Sequence, residues 1–199
     1  MKESLRWYSD RIQEEILFCR WGHFGRPVLL FPTAGGDAEE IERMLMIRVL
    51  SPLLEAGRIK VYSVDSVAAR IWGDLGIPGT HKAWLQNQFD AFIHREVVPA
   101  IHRDCGTDAI DIITAGASIG AFNALASLCR HPDVFSQAIC MSGSYDVDRF
   151  MKNVGGPNLD LHFSSPLHFL PGLGGAHLEV LRGRFALMCH GGGRWEDPD

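Results

Sequence analysis

The chain has 199 residues, a size that fits one domain and allows a substantial hydrophobic core. Hydrophobic residues make up 46% of it and charged residues 22%, which excludes a disordered chain. The net charge of −5, with no basic run, argues against a surface built to hold nucleic-acid phosphates. We therefore expect a single domain over residues 1–199 that binds no nucleic acid.

Targeting and membrane signals are not recognisable in the sequence. The N-terminus, MKESLRWYSD, lacks the apolar stretch of a signal peptide, and the longest apolar run, residues 28–31, is far too short to span a bilayer. The five cysteines are odd in number and form no CxxC pair, which is typical of reduced thiols. These features predict a cytoplasmic protein without a membrane partner.

The first third of the chain is predicted to contain mainly strands. In order, the elements are strands at 5–8, 15–19 and 28–31, a helix at 38–56 and a strand at Ile59–Val64. Residues 28–31 are purely apolar, as in strands that are buried on both faces. Pro52 predicts a break or bend in the helix at Ser51-Pro52.

In the remaining two thirds, strands alternate with helices. In order, the predicted elements are a loop at 67–79, a helix at 81–103, a strand at 108–114, a helix at Ile119–Arg130, a strand at Phe135–Met141, helices at 147–152 and 176–182, and a strand at Phe185–Cys189. This alternation predicts an α/β fold with a mostly parallel sheet that is flanked by helices.

The segment Gly116-Ala117-Ser118-Ile119-Gly120 matches G-x-S-x-G between a predicted strand and a predicted helix. A serine on so sharp a turn adopts a strained backbone, and side chains two residues before and after it would collide with neighbouring elements. The turn places the hydroxyl at a helix N-terminus, where N–H groups stabilise an oxyanion. Ser118 is therefore predicted to be a nucleophile; the alternative is a tight turn that happens to contain serine.

A site for acyl chemistry needs a second oxyanion donor, from the loop after an earlier strand. The glycine-rich residues 32–37 follow the buried strand 28–31 in that position. The two predicted donors are the N–H groups of Ala34 and Ile119. The alternative is that residues 35–36 are ordinary turn glycines.

Three residues are predicted to line a substrate pocket. Thr33 lies in the oxyanion loop, Trp72 lies in the 67–79 loop, and Tyr145 follows the strand Phe135–Met141. His, Cys, Asp and Glu residues form no cluster with metal-ligand spacing, so the sequence predicts neither a metal nor another cofactor. The expected partner is a small-molecule ester.

Four segments taken together resemble a known family: LLFPTAGGDAEE, EAGRIKVYSVDS, GASIGAFNALASLCRHPDVFSQAICMSGSYDV and HGGGRWEDPD. In this order they are similar to esterases of the α/β-hydrolase superfamily, which include esterase D-like, feruloyl-esterase-like and mycolyltransferase-like proteins. The resemblance implies hydrolysis of carboxylic esters through an acyl-enzyme on Ser118, with Glu196 or Asp197 as the acid of the triad. One departure is Pro32-Thr33, where the family usually has His-Gly.

The resemblance also raises the question of the catalytic base. Family members continue past the acid into one more helix, a last strand and a loop with the catalytic histidine, whereas this sequence stops at Asp199. We therefore expect a sheet that lacks the last strand and helix. A serine hydroxyl needs a base within hydrogen-bond reach. His190, after the strand Phe185–Cys189, is the best substitute.

Three alternatives to a substitute histidine within the chain stay open. A neighbouring chain can complete the site, the enzyme can have only residual activity, or the chain can be a non-catalytic binding or assembly module. Without a further strand, Phe185–Cys189 would form an unpaired apolar edge, which is a template for pairing with another chain. We therefore expect a homo-oligomer that assembles through this strand.

Overall fold

A single seven-stranded sheet organises the chain, whose computed structural model describes residues 1–152, 154 and 156–193. The strands are β1 (Lys2–Ser9), β2 (Glu14–Trp21), β3 (Arg26–Phe31), β4 (Ile59–Val64), β5 (Ile112–Ala117), β6 (Phe135–Met141) and β7 (Phe185–Cys189). Their order across the sheet is β1-β2-β4-β3-β5-β6-β7. The five strands from β4 to β7 in this order are parallel, and the β1–β2 hairpin joins them antiparallel, which confirms the predicted mostly parallel sheet.

Helices flank the sheet and connect its parallel strands. They are α1 (Glu40–Arg43), α2 (Met46–Glu55), α3 (Gly79–Phe92), α4 (Val98–Cys105), α5 (Ile119–Arg130), α6 (Leu159–Ser164), α7 (Pro166–Phe169) and α8 (Gly175–Arg182). A π-helical turn at Ile93–Val97 joins α3 to α4, so the predicted helix 81–103 is one continuous helical stretch. Short 3₁₀ turns lie at Ala68–Ile71 and Leu170–Gly172.

The central strand β3 is buried on both faces, as its apolar sequence predicts. Leu29 and Phe31 pack into the core on the side of α3, α4 and α5. Val28 and Leu30 pack into a second core on the side of α1 and α2. Because side chains alternate along a strand, this one strand supplies both cores of the domain.

The break in the first helical stretch does not lie where the sequence predicts it. The helix does not break at Ser51-Pro52, because Pro52 lies inside α2. The chain breaks instead at Leu45, whose φ of 63° is left-handed and separates α1 from α2. The apolar face of α2, which includes the buried Leu54, packs on the sheet. This packing offsets the hydrogen bond that proline cannot donate.

Two other predicted elements differ from the structure. The predicted strand 108–114 begins later, at Ile112, because residues 107–109 form a turn that is closed by a threonine side chain. The predicted helix at 147–152 is only a turn, in which the carbonyl oxygen of Val147 accepts two N–H groups at 3.0 Å. Both differences arise from local turns that interrupt the periodic pattern.

Two features bear on the predictions about membranes and thiols. Among the described residues, no helix is long and apolar enough to cross a membrane. The five cysteines all lie within the described residues and are free thiols, and Cys19, Cys129 and Cys140 are buried.

Strand β7 forms one edge of the sheet within the described part of the chain. All of its residues are exposed, with Phe185 at 59% and Met188 at 54%. An edge strand presents unpaired backbone N–H and C=O groups on its open side. We propose that β7 pairs with β7 of a second copy, because antiparallel pairing of identical strands is self-complementary about a twofold axis.

Substituting Leu187→Lys tests this pairing, because a charged lysine on an edge strand opposes strand addition. Size-exclusion chromatography with light scattering should show a dimer for the unmodified chain and a monomer for the variant. Val49→Lys is the matched control, since Val49 is 71% exposed on α2, far from β7 in the fold, and it should leave the dimer intact. An unmodified chain that remains a monomer at high concentration would exclude the proposal.

Candidate active site

Ser118 occupies the sharp turn between β5 and α5. Its backbone angles, φ 55° and ψ −122°, lie in a region that non-glycine residues rarely adopt. A Cβ on Gly116 would collide with the backbone of Gly120, and a Cβ on Gly120 would lie 2.5 Å from the carbonyl oxygen of Phe31. Both glycines are therefore required for the close approach of α5 to the ends of β3 and β5.

The backbone of Ser118 is held by hydrogen bonds, whereas its hydroxyl is not. The Ser118 N–H donates to the carbonyl oxygen of Met141 at 3.0 Å, and the Ser118 carbonyl accepts the N–H groups of Ala121 and Phe122. The side chain is partly exposed, and its hydroxyl has no hydrogen bond among the described residues. The turn thus fixes the position of the hydroxyl and leaves it available for chemistry.

Two backbone N–H groups near this turn are not used by the fold. Ile119 is the first residue of α5, where N–H groups have no partner within the helix. Ala34 is exposed in the loop after β3, and its N–H also lacks a hydrogen-bond partner among the described residues. The contact of Gly120 with Phe31 and Pro32 brings the start of this loop against the turn. The predicted oxyanion donors therefore belong to two segments that touch.

The loop that contains Ala34 is held in place by two carboxylates that the sequence did not mark as site residues. Asp65, buried at the end of β4, accepts the N–H groups of Ala38 and Leu17 at 2.9 Å each. Glu40 accepts the N–H of Thr33 at 2.9 Å. The only sequence signal for Asp65 is an acidic residue directly after a buried strand, and nothing in the sequence marks Glu40.

The strand register decides how far His190 lies from Ser118. β5, β6 and β7 end in register at Ala117, Met141 and Cys189, and Ser118 and His190 each follow directly. Two strand spacings therefore separate their backbones, a distance of about 10 Å. The His190 ring is exposed, and its Nδ1 lies 2.8 Å from the carbonyl oxygen of the following residue. Among the described residues, no histidine is hydrogen-bonded to Ser118.

The predicted pocket residues lie around the turn in different environments. Thr33 is partly buried beside Pro32, whereas Trp72 is only 1% exposed and packs edge-on against Phe122, one helical turn after Ser118. Tyr145 is partly buried over Gly143.

The phenol of Tyr145 is protonated at neutral pH. Burial raises its pKa, and so does the neighbouring thiol of Cys140.

Glu196 and Asp197, the predicted acids, lie outside the described residues. Among the residues that are described, His, Cys, Asp and Glu form no group of three or more that could hold a metal ion.

The fold and this turn define an α/β-hydrolase-type protein, and comparison with solved structures supports that class. An S-formylglutathione hydrolase from Agrobacterium tumefaciens superposes with a TM-score of 0.71 at 14% identity, over 100% of this chain and 78% of that one. A ferulic acid esterase gives a TM-score of 0.65 at 16% identity, over 94% and 78%. A fluorophosphonate-binding serine hydrolase from Staphylococcus aureus gives 0.65 at 12%, over 96% and 78%.

A family model narrows the class. Residues 77–187 match the family described as "Putative esterase", so the chain belongs to that family of ester hydrolases. A search of curated proteins gave no match. The family and the fold confirm the resemblance that the sequence motifs indicated.

Replacing Asp65 tests how strongly the loop depends on its carboxylate. Asp65→Ala should lower the free energy of unfolding by about 1–3 kcal/mol, because two buried N–H groups lose their acceptor. Asp65→Asn should lower it less, since the amide oxygen can still accept one bond. Urea unfolding measures both, with exposed Asp10→Ala expected to stay within about 0.5 kcal/mol of the unmodified chain. Equal stability of Asp65→Ala and Asp10→Ala would contradict the anchoring role.

Proposed function

We propose that this protein is a serine carboxylesterase that forms an acyl-enzyme on Ser118. The observation that carries the proposal is the strained Ser118 turn at the N-terminus of α5, with a hydroxyl that no described residue binds. A backbone strain of this kind costs about 1–3 kcal/mol and persists where the surrounding structure enforces it, often at active sites. The family to which the chain belongs supports the same reaction class.

The proposed reaction has two steps. The Ser118 Oγ attacks the ester carbonyl carbon as its proton passes to a base, and the carbonyl oxygen becomes an oxyanion. The N–H groups of Ile119 and Ala34 donate to this oxyanion. The alcohol then leaves with the transferred proton, and water repeats the sequence to release the acid and restore the serine.

The base in this reaction is an imidazole, which we assign to His190. Its backbone lies about 10 Å from that of Ser118 by strand spacing, so the side chains reach each other only if both point along the sheet edge. Glu196 or Asp197 follows His190 closely in the chain and would orient the ring. The dimer proposed through β7 offers a second source, because the partner's β7 would lie next to this edge.

A non-catalytic binding or assembly module is the second candidate function. The observation that favours it is the absence of a described histidine bonded to Ser118. The two functions differ in whether the Ser118 hydroxyl reacts, and covalent labelling of Ser118 measures this difference.

Labelling with a fluorophosphonate probe, together with turnover of a short-chain 4-nitrophenyl ester, separates an esterase from a binding module. Ser118→Ala should abolish labelling and lower kcat by at least about 10³-fold, because the nucleophile is lost. Ser51→Ala, in α2, is the matched control and should change neither readout. Circular dichroism should show that both variants are folded. An unmodified chain that neither labels nor turns over the ester would support the binding module instead.

His190→Ala tests the source of the base. If His190 takes the proton from Ser118, this variant should lower kcat about 10²- to 10⁴-fold and leave KM nearly unchanged. His23→Ala is the control, since His23 is exposed between β2 and β3 and lies at the opposite end of the parallel strands. Undiminished turnover by His190→Ala would exclude His190 and direct attention to a histidine of another subunit.

A further inference from the structure

A cavity of about 690 Å³ lies between the loop after β4 and the loop after β6. Its volume is within the range of small-molecule sites, which is about 300–1,000 Å³. Apolar residues form one part of its lining, namely Trp72, Leu75, Ile77, Pro78 and Phe150. Both loops leave the carboxyl ends of parallel strands. The cavity therefore lies at the same end of the sheet as Ser118, which follows the carboxyl end of β5.

The polar part of the cavity is positively charged, although the whole chain carries a net charge of −5. Lys82, Arg149 and Lys152 line it, and the described lining residues include no carboxylate. Two acids lie close to the lining residues in sequence but do not line the cavity themselves. Asp74 accepts the N–H of Gly76 at 2.8 Å, and Asp148 pairs with the His168 ring at 3.1 Å.

Of the three cationic side chains, Lys82 gives the strongest indication of a binding site, because it is only 2% exposed. Its Nζ donates to the carbonyl oxygens of Trp72 at 2.9 Å and Phe150 at 3.1 Å. An ammonium group has three N–H donors, and a buried charge is costly unless an opposite charge accompanies it. Among the described residues no carboxylate pairs with Lys82, so the site holds a buried cation without its counter-charge.

Helix α3 adds to the positive potential of the cavity. It begins at Gly79, in the cavity lining, and no side chain caps its N-terminus at Pro78. The positive end of the helix dipole therefore points toward the same space as Lys82. A side chain at Gly79 would collide with the backbone of Met151 and Lys152, so this glycine allows the two walls to meet.

We propose that this cavity binds an organic anion, in which a carboxylate or phosphate is attached to an apolar body. The anionic group would supply the missing counter-charge at Lys82 and contact Arg149 and Lys152, while the apolar body would pack on Leu75, Ile77 and Phe150. The proposal does not depend on catalysis at Ser118, because it rests on the charge and burial of other residues.

Isothermal titration calorimetry with the unmodified chain tests the proposal directly. Benzoate and phenyl phosphate are the anionic probes, and benzyl alcohol is the neutral probe of similar size. At least one anion should bind saturably at fixed ionic strength, and benzyl alcohol should not. Comparison of the two anions then shows whether carboxylate or phosphate is the preferred group.

Three variants locate the binding. Lys82→Met should raise the Kd about 10- to 100-fold, as expected for the loss of a charge-assisted hydrogen bond. Arg149→Gln and Lys152→Gln are exposed substitutions that should preserve folding and raise it about two- to fivefold each. They keep the test decisive if Lys82→Met fails to fold.

Arg48→Gln on α2 makes the same charge change away from the cavity and should leave the Kd unchanged. The proposal is wrong if neither anion binds, or if Arg149→Gln and Lys152→Gln bind as tightly as Arg48→Gln. Neither result would bear on ester hydrolysis, which the serine and histidine variants measure separately.

Discussion

The close approach of α5 to the sheet is the constraint on which the rest of the site depends. Gly116 and Gly120 leave no room for side chains between the end of β5, the start of α5 and the end of β3. This packing forces Ser118 into its strained conformation and sets the first free N–H of α5 beside the loop that carries Ala34. This backbone contact thus positions the proposed nucleophile and the N–H of Ile119, while the Asp65 and Glu40 carboxylates hold the loop that carries the other proposed oxyanion donor, Ala34.

Two buried charged residues near the same end of the sheet, Asp65 and Lys82, differ in their hydrogen-bond partners. The Asp65 carboxylate is satisfied by backbone N–H groups of β2 and of the oxyanion loop, so it works as a structural anchor. Among the described residues, the partners of Lys82 are carbonyl oxygens, and Lys82 shares a cavity with two further cations. A buried acid with partners stabilises the loop, whereas the buried cation without an opposite charge is the basis of the anion site that we propose.

The edge strand β7 bears both on the proposed catalytic base, His190, and on the proposed pairing with a second chain. β7 is apolar and exposed, and His190 follows it at a distance of two strands from Ser118. A partner strand placed against β7 would bury this edge and bring new side chains close to the site. The proposed dimer and the proposed base would therefore depend on the same strand.

The periodic parts of the sequence determined most of the architecture. The apolar β3, the strands β4, β6 and β7, the helix α5 and the glycine pair around Ser118 could all be predicted, because each depends on neighbours within a few residues. Tertiary structure decided the rest. Pro52 remains within α2 because packing on the sheet outweighs its missing hydrogen bond, and α6 and α7 have no strong local signal.

The candidate site likewise has features that local sequence determines and features that only tertiary contacts decide. Ser118 and its turn could be identified from five consecutive residues, whereas the roles of Asp65 and Glu40 depend on bonds to residues distant in sequence or in another element. The cavity around Lys82 joins segments that are about 70 residues apart, and no local pattern records that three cations converge there without an acid. Local sterics determined the strained turn at Ser118, whereas long-range contacts decided how the neighbouring loop is held, how far His190 lies from Ser118, and which charged residues line the cavity.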